Sequence, residues 1–242
     1  MTDRSYPDAL EIKPLKKPPE ATIRVPGSKS ITNRALVLGA LCSKGMDHQI
    51  RGALHSEDTE VMVQGLRELG FRIWSDEDRP EGGLHISSEE ADDMIPAHGA
   101  ELFAANSGTT IRFLTALVSL GRGKFRLDGS PRMRQRPIEY LSAALCQLGA
   151  KVYSERGNNC PPVIVEANGL RGGHAHIPGD ISSQFLSALL MVAPFAREPV
   201  SIQVEGPLVS WPYVTMTIDM MQRMQIPVTV ESGNAFQVNR PR

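Results

Sequence analysis

The feature that most constrains this chain is a spacing. Gly52, Gly129 and Gly206 each close a β-type run (H-Q-I-R-G, K-F-R-L-D-G and V-S-I-Q-V-E-G), and successive glycines stand 77 residues apart. Equal offsets of this size point to three copies of one supersecondary unit. The same parts recur around each glycine. A Ser/Thr-rich turn (27–32, 106–110, 182–184) leads into an apolar helix (35–42, 113–120, 185–193) and then into the strand that ends at the glycine. A second, amphipathic helix follows (58–69, 138–148, 214–224), stopped in the first two copies by Gly70 and Gly149, a usual helix end. A hairpin closes each copy: F-R-I-W with G-L-H-I, K-V-Y-S with V-I-V-E, and V-T-V-E with F-Q-V-N. Residues 76–83 and 155–159 supply turn chemistry. With a strand at 21–25 opening the first copy, the unit reads β-α-β-α-β-β.

The first helices decide how the units assemble. F-L-T-A-L-V-S-L and F-L-S-A-L-L-M-V-A carry no charged face, and a helix apolar all round is buried all round. The expected fold is therefore α/β, an inside-out α/β barrel of three repeats with buried helices and outer sheets about a pseudo-threefold axis. The repeats span about 21–98, 99–168 and 169–242, after a polar lead-in at 1–20. A conventional α/β sandwich with accidental spacing is the alternative, weakened by the recurring Ser/Thr turn. The methionines Met216, Met220, Met221 and Met224 read as core filler.

Composition excludes several functions. A net charge of −1 leaves no basic excess to neutralise nucleic-acid phosphates. Cys42, Cys146 and Cys160 are odd in number and in no metal or redox spacing, which fits a reducing cytosol. The amino terminus is polar and no apolar run approaches the roughly 18 residues of a membrane span. A cytoplasmic protein with no nucleic-acid or membrane partner is expected. His174 and His176 lack a third ligand nearby and read as a surface strand, and Asp92 and Asp93 as a solvated face.

The chemistry-bearing residues cluster at the turns. V-P-G-S-K-S-I-T-N-R offers Lys29, Ser30 and Arg34 at the start of a helix, where free N–H groups and the positive dipole end favour an anion. It is not a Walker loop, because Ser28 separates Gly27 from Lys29. The second turn offers Asn106, Gly108, Thr109 and Arg112. The third offers Ser182, Ser183 and Gln184, neutral donors for hydroxyls or phosphate oxygens. Arg132, Arg134 and Arg136 alternate, so an extended segment would project all three from one face. After Gly206, Ser210 can hydrogen-bond and Tyr213 can lie against a ring. Gathered cations in a chain that nets −1 imply a small ligand with more than one anionic group.

Five motifs, in order from about residue 21 onward, resemble one family. P-G-S-K-S-x-x-N-R, N-S-G-T-T-x-R, P-R-M-x-x-R-P-I, S-S-Q-F-L-S-A-L-L and V-S-x-P-Y look like the amino-terminal lobe of the 5-enolpyruvylshikimate-3-phosphate (EPSP) synthases of aromatic amino acid biosynthesis. The resemblance implies two lobes of three such units. It implies transfer of the enolpyruvyl group of phosphoenolpyruvate to the 5-hydroxyl of shikimate 3-phosphate, with release of phosphate. The reaction would pass through a tetrahedral addition intermediate, without metal or organic cofactor.

Carried over by motif, Lys29, Gly108, Arg132 and Gln184 would hold phosphoenolpyruvate. Lys29, Ser30, Arg34, Ser182, Ser183, Gln184, Ser210 and Tyr213 would hold shikimate 3-phosphate. Asp58, Asn106, Thr109, Arg112 and Arg136 would support them. The sister enzyme acting on UDP-N-acetylglucosamine has a different first motif and a reactive Cys in its mobile loop, whereas residues 130–137 hold none.

Two departures stand out. Ala105 and Phe113 replace a Gly and a Pro frequent in the family's second motif, beside the site at which glyphosate competes. The sequence also stops at Arg242, after the third unit. The acid and base carboxylates are then expected on a second lobe, and residues 10–15, a second-lobe strand in the family, are expected to be mobile. The chain is expected to be half of a split enzyme or an isolated lobe, inactive alone. A pure binding module for shikimate 3-phosphate, a UDP-N-acetylglucosamine enolpyruvyl transferase lobe ranked a distant second, and a repeat-built interaction protein remain alternatives.

Overall fold

The computed structural model describes residues 7, 9–23, 25–76, 82–89, 93–231 and 234–239. The first unit contains α1 (Lys29–Cys42), β1 (Asp47–Ile50), α2 (Glu57–Glu68), β2 (Arg72–Ser75) and β3 (Leu84–Ser87). The second contains β4 (Gly99–Phe103), α3 (Gly108–Val118), β5 (Arg122–Asp128), α4 (Glu139–Gln147), β6 (Lys151–Ser154) and β7 (Val163–Asn168). The third contains β8 (Gly173–Pro178), α5 (Ser183–Val192), β9 (Val200–Glu205), α6 (Trp211–Arg223), β10 (Val228–Glu231) and β11 (Ala235–Val238).

The Ser/Thr-rich turns are helix starts. Ser28, Ser107 and Ser182 are the N-caps of α1, α3 and α5, and their hydroxyl oxygens accept from the N–H groups of Ile31, Thr110 and Gln184. Each cap satisfies one orphan donor and contributes about 1 kcal/mol. Lys29, Ser30, Gly108, Thr109, Ser183 and Gln184 thus belong to the first helical turns rather than to loops before them. The helices begin five or six residues earlier than expected in the first two units, because the cap sets the start and the apolar run only follows it.

The second and third units repeat one sheet. Its order is β4-β5-β7-β6 in one and β8-β9-β11-β10 in the other, with the first pair parallel and the rest antiparallel. Leu102 faces Leu127 in one parallel pair, and Ile177 faces Val204 in the other. The first unit has only β1-β3-β2. The strand expected at 21–25 is absent among its described residues, and Arg24 lies outside them. Ile23 is 83% exposed, so the side chain that alternation would bury has nothing over it. Residues 10–15 form no strand either, and Leu10, Ile12 and Leu15 are exposed.

The helices carry the core. α1, α3 and α5 are buried on nearly every side, α3 and α6 pack against α5, and α2 packs against α1 and α3. Phe113 and Phe185 are wholly buried, each burial stabilising by about 2–3 kcal/mol. The apolar cluster is continuous through all three units. Of the four methionines, only Met221 is fully buried, and Met216 lies on the outer groove of α6.

One backbone position departs from good geometry near the second helix start. Ala105 has φ +45°, the left-handed region, where a Cβ crowds the following carbonyl. Its carbonyl is held by the N–H of Ser130 at 2.9 Å. Ala105→Gly should therefore raise stability by about 0.5 kcal/mol, the relieved crowding slightly exceeding glycine's greater loss of chain entropy. A melting point raised by about 1–2 °C is the expected result, and a lowered one would contradict it.

Candidate functional site

Four helix starts open onto one cleft of about 410 Å3. It is lined by Lys29, Ser30 and Arg34 of α1, Thr109 and Arg112 of α3, Ile181, Ser182, Ser183 and Gln184 at the head of α5, and Ser210 and Tyr213 at the head of α6. Helix starts present free N–H groups and positive dipole ends, so several together favour negative charge strongly. Among the described residues no carboxylate lines the cleft. The sequence pointed to three converging turns; the fourth, at Ser210, joins because α6 packs against both α1 and α5.

Arg34 is 1% exposed, and among the described residues it has no carboxylate partner. Nε donates to Thr217 Oγ1 at 2.7 Å and Nη1 to the Ser30 carbonyl at 2.9 Å. Nη2 donates to Ser187 Oγ at 3.0 Å and to the Tyr213 carbonyl at 3.3 Å. Its guanidinium carbon lies 5.3 Å from the centre of the Phe113 ring. Four of its five N–H groups are thus committed to neutral oxygens, leaving one Nη1 hydrogen for the cleft. The fork is tethered rather than open to the cleft. Burial lowers its pKa to about 10, partly offset by Tyr213, so it stays charged at neutral pH with no carboxylate beside it among the described residues.

Arg112 repeats the pattern on α3. Its Nη1 donates to Gln184 Oε1, and its guanidinium lies 4.9 Å from the Phe185 ring centre. Burial, then repulsion from Arg136, lowers its pKa to about 10. Gln184 donates from Nε2 to Thr109 Oγ1 at 3.0 Å, so this side chain ties α5 to α3. Lys29 pairs with Asp58, in the first turn of α2, at 3.2 Å and remains about half exposed. Ser210 has φ 57° and ψ 38° and makes no capping bond with its side chain. A strained non-glycine backbone of this kind costs about 1–3 kcal/mol.

Asp58, Asn106, Gly108, Arg132 and Arg136 are not in the cleft wall; Asp58 adjoins it through Lys29, and Gly108 and Arg136 adjoin it through Arg112. Gly108 borders two cations. A Cβ there would come 2.9 Å from Arg112 Nη1 and 3.2 Å from Arg136 Nη1. Arg136 Nη1 donates to the Asn106 carbonyl at 3.3 Å, and Asn106 Oδ1 accepts from Ser130 Oγ.

The extended segment expected to project three arginines is instead a 3-10 turn, Met133–Gln135. Arg134 turns back as a bidentate partner of Asp128, Nε to Oδ1 at 2.9 Å and Nη2 to Oδ2 at 2.7 Å, while Arg132 is exposed. Burial pushes the Asp128 carboxyl up, but the Arg134 fork, the Gly129 N–H and Arg126 outweigh it and hold it below its ordinary value.

Sequence reasoning missed Ser187, Thr217, Phe113 and Phe185 as the partners that orient the two arginines. The available signal was a hydroxyl inside the apolar run of α5, at Ser187; Thr217, in the amphipathic α6, carried no such signal, though both are wholly buried. His174 and His176 lie on β8 with exposed side chains, and no group of metal-ligating residues is assembled among the described residues. Asp93 is not simply solvated: it accepts from His98 at 2.9 Å and from Arg122 at 2.9 Å. Asp92 lies outside the described residues. Among them no helix is long and apolar enough to cross a membrane.

The chain matches the family described as EPSP synthase (3-phosphoshikimate 1-carboxyvinyltransferase) over residues 15–241. It is 41% identical over 231 residues to the 3-phosphoshikimate 1-carboxyvinyltransferase of Trichormus variabilis, covering 96% of this chain and 53% of that protein. It is 42% identical over 234 residues to the protein of the same name from Shewanella sediminis, covering 95% and 52%. The chain thus spans about half the length of the curated relatives it matches. The solved EPSP synthase of Acinetobacter baumannii aligns with a TM-score of 0.76 at 24% identity, over 91% of this chain and 47% of that one, which establishes likeness of fold.

Proposed function

The chain belongs to the EPSP synthase family, and we propose that its cleft holds phosphoenolpyruvate and shikimate 3-phosphate for transfer of the enolpyruvyl group. The observation that carries this reading is the pair of partly or wholly buried guanidiniums, Arg34 and Arg112, without carboxylate partners among the described residues, at a convergence of four helix starts. Uncompensated buried cations are unfavourable until an anion arrives. Two anionic substrates side by side need several cations to offset their repulsion.

In this reading Lys29, Gly108, Arg132 and Gln184 face phosphoenolpyruvate. Lys29, Ser30, Arg34, Ser182, Ser183, Gln184, Ser210 and Tyr213 face shikimate 3-phosphate. Asp58, Asn106, Thr109, Arg112 and Arg136 hold these in place. The substrate 5-hydroxyl gives up its proton to a base as its oxygen bonds to C2 of phosphoenolpyruvate and an acid delivers a proton to C3. The adduct then loses phosphate from C2 and a proton from C3, which restores the C2–C3 double bond and leaves the product an enol ether. Two proton transfers at carbon require an acid and a base, and no carboxylate lines the cleft among the described residues. We assign those transfers to a second lobe of the family's kind, packed over the helix starts. The three units are read as an inside-out barrel, which the burial of α1, α3 and α5 supports. Three free cysteines support a reducing, cytoplasmic setting.

A cleft wall without carboxylates among the described residues also favours a second reading for the chain by itself, as a binding module without catalysis. A phosphate-release assay separates the two. With both substrates the purified chain should release phosphate at the background rate, and turnover should appear on adding the second lobe as a separate polypeptide. Turnover by the chain alone would contradict the placement of acid and base elsewhere.

A further inference from the structure

β5 ends at Asp128, and the turn that follows carries Arg132, Arg134 and Arg136. Its first residue is tied down, the Ser130 N–H donating to the Ala105 carbonyl at 2.9 Å and Ser130 Oγ to Asn106 Oδ1, but these bonds do not fix the arginine side chains. The turn's regular part is the three-residue 3-10 segment, and so short a helix is marginal by itself. Asp128 is 7% exposed, and its carboxylate accepts from the Gly129 N–H at 2.8 Å as well as from both arms of Arg134. Arg126 approaches the same carboxylate at 3.4 Å and is itself gripped by Glu155. The far side of the turn is seated by Met133, 1% exposed, against Gly129, where a Cβ would come within 2.7 Å of the Met133 side chain.

The three alternating arginines are therefore sorted. Arg134 is neutralised and faces back to the strand end, while Arg136 meets the Asn106 carbonyl beside Gly108 and Arg132 is exposed at the start of the segment. We infer that the Arg134–Asp128 pair is a positioning clamp, which fixes the turn so that Arg132 and Arg136 present their charges to phosphoenolpyruvate. The inference rests on the function proposed above and adds two residues that bind no substrate themselves.

Charge and position predict opposite signs for Asp128→Asn. The substitution removes a negative charge near the site, so electrostatics alone would tighten anion binding. Loss of the bidentate pair frees the turn and should loosen it. With the purified chain preloaded with shikimate 3-phosphate, calorimetry should show phosphoenolpyruvate binding weakened about tenfold in Asp128→Asn. Shikimate 3-phosphate affinity should change less than about twofold, because Arg34 and its partners are not tied to this turn. Trypsin cleavage after Arg132 and Arg134 should speed up about tenfold as the turn opens locally.

Arg134→Lys, which keeps the charge but not the fork, should fall between wild type and Asp128→Asn on the phosphoenolpyruvate measurement. Tighter or unchanged phosphoenolpyruvate binding, or unchanged cleavage, in Asp128→Asn would overturn the clamp while leaving the functional reading standing. A wild-type chain that binds neither substrate would overturn the functional reading, and the clamp's role in binding with it.

Discussion

Arg34→Lys should weaken shikimate 3-phosphate binding by about 2 kcal/mol, roughly 30-fold, the worth of one charge-assisted hydrogen bond in a dry site. An ammonium keeps the charge but cannot reach Thr217, Ser187, Ser30 and the Tyr213 carbonyl together while also presenting an N–H to the cleft. The fold should tolerate the change better than binding does. Thr217 Oγ1 already bonds Ser187 Oγ and the Tyr213 carbonyl, both at 2.9 Å, so the acceptors left behind retain partners. The stability loss should be about 1–2 kcal/mol, because no acceptor is stranded. Calorimetric titration and a thermal melt on the same preparation separate the effects. Unchanged affinity would mean that Arg34 is only a strut between α1, α5 and α6.

Gly27→Ala should be the most destabilising single change near the site. A Cβ at Gly27 would run into the carbonyl oxygen of Gly52 and come 2.9 Å from the Leu54 N and 3.1 Å from the Ala53 carbonyl carbon. All three are backbone, so no side chain can swing aside. The residue also precedes the Ser28 cap, and Thr32 Oγ1 accepts from the Leu54 N–H at 3.0 Å across the same contact. Relief requires moving the start of α1 away from the end of β1. The cost should be about 3 kcal/mol, or about 6–12 °C in melting point for a chain of this length. Lys29, Ser30 and Arg34 would move with the helix, so shikimate 3-phosphate binding should fall as well. Melting followed by circular dichroism checks the first effect. A variant within 2 °C of wild type would show that the contact has slack.

The regular parts of this chain were legible because they are locally encoded. The equal spacing of Gly52, Gly129 and Gly206 marks strand ends, and the charge-free runs in α3 and α5 mark buried helices. The Ser/Thr-rich turns were legible as a group, though their office as N-caps fixed the helix starts earlier than apolar periodicity suggested. What was not legible depends on distant partners. The two hydroxyls that hold Arg34 lie 153 and 183 residues away, and no local pattern names them. Arg134 looked equivalent to Arg132 and Arg136 until Asp128, six residues earlier, captured its fork. The strand expected at 21–25 has suitable alternation, but alternation predicts a strand only where a neighbouring layer covers the apolar face, and Ile23 and Val25 are uncovered.

The central claim is that the starts of α1, α3, α5 and α6 form one anion-binding mouth. Amide hydrogen exchange of the purified chain, with and without shikimate 3-phosphate, tests it most directly. Slower exchange is predicted together at residues 29–34, 108–112, 183–187 and 211–214, weakening as salt screens the charges. No protection at saturating ligand, or protection confined to one helix start or to the outer sheets, would contradict the account.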